Sequence, residues 1–313
     1  MRPACVFIVV AALLMCSCGG SEGEAQDLPD FNAMWNYDNP AATEAEFKSL
    51  LPLARESGDA NYYAGLLTQI ARSQGLQRKF DEAHVTLDAA REAVVDEESV
   101  GMARYLLERG RVYNSSGDPE TARDYFLRAR DVATEIGADF YAIDALHMLG
   151  IVDPPEKQMK WNLMALDLAE TSGDERALKW RGSLYNNIGW TYHDLGEYEQ
   201  ALAMFEKSLA FREEQNDSAG VLIASWTIAR TNRSLGHIEE ALGMQLQLEK
   251  TIEEYGLPPD GYVYEEIAEC LLLLCREQEA RAYFGLAYGL LSRDEWMTAN
   301  EAERLERLDQ LSR

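Results

Sequence analysis

Apolar residues along most of this chain recur at three- and four-residue steps, which is the spacing of a helix that buries one face. Short polar breaks interrupt them at Ser116-Gly117-Asp118, Leu195-Gly196-Glu197 and Leu235-Gly236-His237. Such Gly-containing triplets punctuate helix ends. No stretch alternates with a period of two, so no strand is predicted. The pattern also repeats. Small residues stand at Ala71, Gly110, Gly189, Ala229 and Ala268. Twelve positions later come Ala83, Ala122, Ala201, Ala241 and Ala280, and four later again Leu87, Phe126, Phe205, Gln245 and Phe284.

The alanines fall at intervals of 39, 79, 40 and 39 residues. The interval of 79 is a doubled period, so a degenerate copy is expected between. DALHMLGIVDPPEKQMKWNLMALDLAETSGD supplies it, with Gly150 as the small residue and Ala165 as the late one. About one helical turn is missing at its hairpin, where Pro154-Pro155 ends one helix and can open the next. Small residues let two antiparallel helices cross closely, and the larger apolar residues fill between that pair and the next. A single hairpin cannot bury its own face, so the copies must stack.

Tyr185 to Leu202, YNNIGWTYHDLGEYEQAL, carries Ile188-Gly189, Tyr192, Leu195-Gly196, Tyr198 and Ala201, with Phe205 just beyond. In these residues the chain resembles the tetratricopeptide repeat. The resemblance implies an all-α, right-handed α-solenoid of antiparallel helix hairpins. Its copies are expected at 64–97, 103–136, 139–172 (shortened), 182–215, 222–255 and 261–294. A cap helix is expected at 43–57 and a polar C-terminal cap helix at 295–313. The spacing of roughly 40 exceeds the simplest 34-residue repeat and looks like the kinesin-light-chain style.

Charge narrows the function. The 313 residues hold 54 acidic and 29 basic side chains, a net −25. That balance argues against a general nucleic-acid binder, which needs a basic face to displace counterions. At the N-terminus, Arg2 precedes an apolar run from Val6 to Met15, too short to span a bilayer as a helix and long enough for a signal peptide over 1–17. It ends in Ser17-Cys18-Gly19, which resembles the bacterial lipobox. The resemblance implies acylation of Cys18, a polar tether over 18–40, export, and anchoring at the outer membrane or cell surface. An ordinary secretory signal is the alternative. Cys270 and Cys275 lie five residues apart, so on a helix they point about 140° from each other and read as buried, inert thiols rather than a disulfide.

Catalytic chemistry is not legible. The four histidines, His84, His147, His193 and His237, show no metal-ligand spacing, and no nucleophile elbow, phosphate loop or dinucleotide fingerprint occurs. No enzyme activity, cofactor or metal is expected. Binding is more promising. In the tetratricopeptide family the first helix of each repeat lines a groove, commonly through its positions 2, 5, 9 and 12. Those positions place Arg72, Arg104, Arg111, Arg230 and Arg233 in the groove of an otherwise acidic protein, with Trp190, His193 and Trp226. The arginines either receive an acidic segment or C-terminal carboxylate of a partner, or pair with acids of neighbouring repeats; Glu108 stands one turn from both Arg104 and Arg111. Glu265, Glu266 and Glu269 are expected to turn the groove acidic toward the last copy. Trp190 and Trp226 are either core or an exposed anchor, while Trp35, Trp161, Trp180 and Trp296 are assigned to packing or tether. Within YNNIGWTYHDLG, Asn186, Asn187, Trp190 and His193 are left over once the repeat positions are subtracted. These expectations favour a membrane-tethered protein-binding scaffold at the cell envelope, with a ligand- or peptide-sensing regulator as the second reading.

Overall fold

The computed structural model describes residues 28–313 and contains no strand among them. A 3₁₀ turn, Phe31–Met34, precedes helices α1 (Pro40–Ser49) and α2 (Leu51–Glu56). Six antiparallel pairs follow: α3 (Ala60–Leu76) with α4 (Phe80–Ala93), α5 (Val100–Ser115) with α6 (Pro119–Glu135), and α7 (Asp139–Val152) with α8 (Pro155–Thr171). After the one-turn α9 (Glu175–Leu178) come α10 (Arg181–Asp194) with α11 (Tyr198–Glu214), α12 (Ser218–Ser234) with α13 (Ile238–Glu254), and α14 (Gly261–Leu273) with α15 (Glu277–Leu291). Helices α16 (Glu295–Asn300) and α17 (Ala302–Ser312) close the array, α17 against α15. Each element packs on its sequence neighbours, which makes the fold an all-α solenoid of helix hairpins.

The small residues sit where the helices of a pair cross. A Cβ added at Gly110 would lie 2.5 Å from the Phe126 ring, and one at Gly189 the same 2.5 Å from Phe205. Ala83, Ala122, Ala201, Ala241 and Ala280 are all buried beside them. The turns repeat as well. Gly117, Gly196 and Gly236 take positive φ at the ends of α5, α10 and α12, and the next amide returns to the carbonyl five residues back. At the ends of α3 and α14 the same conformation is carried by Arg78 and Cys275. Cys275 is therefore exposed on a turn and only Cys270 is buried, which corrects the expectation of two buried thiols.

Both capping segments depart from the expected single helices. The N-terminal cap begins at Pro40 behind an Asn39 N-cap and breaks at Leu50, because Pro52 has no amide to continue the ladder. The C-terminal cap breaks at Glu301, where the Asn300 side chain donates to the Trp296 carbonyl and competes with the backbone. The stretch expected to serve as tether up to residue 40 is folded from the 3₁₀ turn onward: Phe31 is buried against Phe47, Tyr62 and Gly65. The apolar core is segmented. One large cluster runs from Ala64 to Leu184 and another from Ala241 to Leu308; between them Ala201, Phe205 and Ile228 form a small one.

Candidate functional site

The first helices of the pairs, α3, α5, α7, α10, α12 and α14, present one row of polar and aromatic side chains. Four of the six are started by a side-chain cap: Asp59 accepts from the Tyr62 amide before α3, Ser99 from Met102 before α5, Asp217 from Gly220 before α12, and Asp260 from Tyr262 before α14. Once the helices are in register, residues one repeat apart face each other.

The arginines use that register to pair within the chain. Arg72 of α3 meets Glu108 of α5 at 3.3 Å, and Arg111 joins the same carboxylate at 2.5 Å while reaching Asp144 of α7. Arg111 is half-buried; burial lowers its pKa, but Asp144 and Glu108 outweigh that and raise it. At the other end Arg230 and Arg233 of α12 both hold Glu266 of α14, Arg233 with contacts of 2.7 and 3.0 Å. Glu265 is gripped by both nitrogens of an Arg304 fork at 2.6 and 2.8 Å, and Glu269 by Arg307. The last copy is thus not an open acidic surface. Helix α17 turns its arginines back onto α14 and neutralises it, a contact invisible in a segment that reads only as polar.

Arg104 differs. Its Nε donates to the Tyr141 hydroxyl at 2.6 Å and one Nη to Asn32 at 2.9 Å, and it forms no ion pair among the described residues. It borders a cavity of about 310 Å³ between α3, α5 and α7. The N-terminal segment completes the wall: Trp35 donates to Gln69 at 2.9 Å and stacks on Tyr37, and Arg72 lies over both rings. Trp180 faces Phe140 on the far side. Sequence reasoning missed Asn32, Trp35, Tyr37 and Trp180 as cavity residues, since none belongs to the periodic pattern.

Between α7 and α12 the row carries no ion pair among the described residues. Asn187 meets a ring nitrogen of His147 at 3.2 Å, and His193 meets Ser234 at 2.9 Å. Trp190 and Trp226, both half-buried, lie 5.9 Å apart with Arg230 over each ring. Trp190 also packs edge-on against Phe205 and His193. The Trp226 indole N–H and the Asn186 side-chain oxygen have no hydrogen-bond partner. Here the structure brings together Asn187, Trp190, His193, Trp226 and Arg230. Arg72, Arg104 and Arg111 form a separate group around the cavity. Cys18 lies outside the described residues. Of the other tryptophans, Trp161 is buried and donates to Asp153 at 2.8 Å, while Trp296 is exposed rather than packed.

Among the described residues no group of His, Cys, Asp or Glu is arranged to hold a metal ion, and no helix is long and apolar enough to cross a membrane. Residues 180–254 match the family described as tetratricopeptide repeat. No curated protein matches the chain significantly. Solved structures do match in fold. A signal transduction ATPase with numerous domains and a tetratricopeptide repeat sensor, from Pyrococcus horikoshii, superposes with a TM-score of 0.66 at 17% identity, over 87% of this chain and 44% of that one. The apo form of RapI gives 0.64 at 14% identity, over 83% and 73%. NprR in complex with its cognate peptide NprX gives 0.51 at 19% identity, over 80% and 72%. At these identities the likeness is one of fold.

Proposed function

We propose that this protein is a lipid-anchored, non-catalytic scaffold at the cell envelope that binds a polypeptide partner along its row of first helices, at the stretch formed by α10 and α12. The observation that carries this reading is the break in internal pairing. Elsewhere in the row the guanidiniums other than that of Arg104 close on carboxylates of the next repeat, whereas Trp190, His193 and Trp226 offer aromatic surface, with unpartnered polar atoms on Trp226 and Asn186 beside it. Half-buried tryptophans beside an arginine are the residue types that carry most binding energy at protein interfaces. NprR, which shares the fold, was solved with a peptide, and that supports a polypeptide as the partner class. An acidic segment or C-terminal carboxylate would find Arg72, Arg111, Arg230 and Arg233 already paired, so the partner segment proposed for this stretch is aromatic or apolar. Cys18 supplies the membrane anchor.

The test uses the protein as bait against a solubilised envelope extract, beside a Trp190→Ala/His193→Ala variant of matched helicity. A specific partner should be retained by the parent and reduced at least about tenfold by the variant. Equal retention would remove the central stretch as the docking site. Anchoring is checked separately: Cys18→Ala should move the protein from the membrane to the soluble fraction, and membrane association unchanged by the substitution would refute lipidation.

A further inference from the structure

The cavity between α3, α5 and α7 has an unbalanced charge. Its walls carry three guanidiniums, from Arg72, Arg104 and Arg111, against two carboxylates, from Glu108 and Asp144. Arg72 and Arg111 close on the two carboxylates. Arg104 is left with neutral partners, the Tyr141 hydroxyl and the Asn32 amide oxygen, and its second terminal nitrogen has no hydrogen-bond partner at all. One helical turn further along α5, the Oε2 atom of buried Glu108 is likewise unpartnered. Leaving a buried donor or a charge unsatisfied costs folding free energy, so a lone cation in an array of net −25 calls for a counter-charge from outside the chain.

Size and shape restrict what brings it. About 310 Å³ is at the small end of ligand cavities and suits a compact molecule rather than an extended chain. The chain's own Asn32, Trp35 and Tyr37 close one side, so a polypeptide lying along the row is blocked there. That side and the opposite wall are aromatic, Trp35 and Tyr37 facing Phe140, Tyr141 and Trp180. A dianion would overcompensate one unpaired guanidinium, whereas a single carboxylate balances it by replacing Asn32 as acceptor at the exposed terminal nitrogen, the other being enclosed by protein. We propose that this cavity binds a small monocarboxylate whose other end is an aromatic or branched apolar group, with the carboxylate on Arg104. This is a small-molecule site, separate from the docking stretch on α10 and α12.

The probe is 3-phenylpropionate, compared with its neutral amide, 3-phenylpropanamide, by calorimetry and thermal shift on the full chain purified in detergent. The acid should bind with a dissociation constant below about 1 mM and at least about tenfold more tightly than the amide. Arg104→Gln should bring the acid down to the level of the amide, while Trp190→Ala leaves it unchanged, which keeps this proposal distinct from the docking site. Equal binding of acid and amide, or no binding of either at about 10 mM, would overturn it. Should Arg104→Gln fail to fold, the acid and amide comparison on the unmodified protein decides the matter.

Discussion

Gln245 occupies the position that is Phe126, Phe205 and Phe284 in other pairs and Leu87 in the first. It is fully buried, and neither its amide nitrogen nor its oxygen has a hydrogen-bond partner. The residue it should face, Ala229, matches Ala71, which stands at the equivalent place in the pair that has Leu87. Gln245→Leu should therefore stabilise the protein by about 1 kcal/mol or more, since it removes two unsatisfied polar atoms and keeps the volume close. A urea titration with an unchanged or lower midpoint would show that the amide is satisfied. Position arithmetic found this residue as the odd member of its column, and found Arg72, Arg111, Arg230 and Arg233 as members of one row. It did not give their partners. Glu108 stood out because it is one turn from Arg111, a local relation, but the contacts Arg72–Glu108 and Arg233–Glu266 cross 36 and 33 residues and depend on how the hairpins stack.

Helix α17 shows the same limit at the level of elements. Its sequence reads as a polar cap, yet it buries Leu305 and Leu308 and delivers Arg304 and Arg307 to α14. Helices and their period were legible because apolar spacing and turn glycines act locally. The return of α17, and of Asn32 and Trp35 at the opposite end, was not, because single contacts by non-repeating segments leave no periodic trace. Arg304→Ala leaves the buried carboxylate of Glu265 without its partner. The expected cost is about 2 kcal/mol, below the range for a fully buried pair because Arg304 keeps some contact with water. Adding Glu265→Gln should recover part of it. An additive double mutant would mean that the two side chains contribute independently.

The whole array should respond to acid through its centre. Burial lowers the pKa of His147 against the pull of Asp144, and burial with Arg230 lowers that of His193, both from the usual 6.5. The unfolded chain takes up protons near 6.5 that the folded chain refuses, so stability falls as pH drops below that value and is unaffected by these groups above it. Melting temperature should be flat from about pH 8 to 7 and decline toward pH 5, with His147→Gln/His193→Gln flattening the decline. A decline of the same size in the double variant would assign it to other groups. The N-terminal cap responds lower on the scale. Burial raises the Glu44 pKa, but hydrogen bonds from Lys48, Gln77, Lys79 and Gln74 outweigh it and hold it at about 2, so the stability it lends is present above 4.5 and lost toward 2.

The interrupted pairing along the first helices has a mechanical meaning. Carboxylates clamped by arginines of adjacent repeats act as cross-ties, resisting both sliding and splaying of one hairpin against the next. Along the first helices from α7 to α12 the ties are two neutral contacts over a narrow core, and the charged ties of these hairpins, Tyr185 on Glu170 and Arg212 on Asp217, lie off that row. A load on the solenoid should therefore part the first helices at Trp190 and Trp226 before it parts those that arginines clamp.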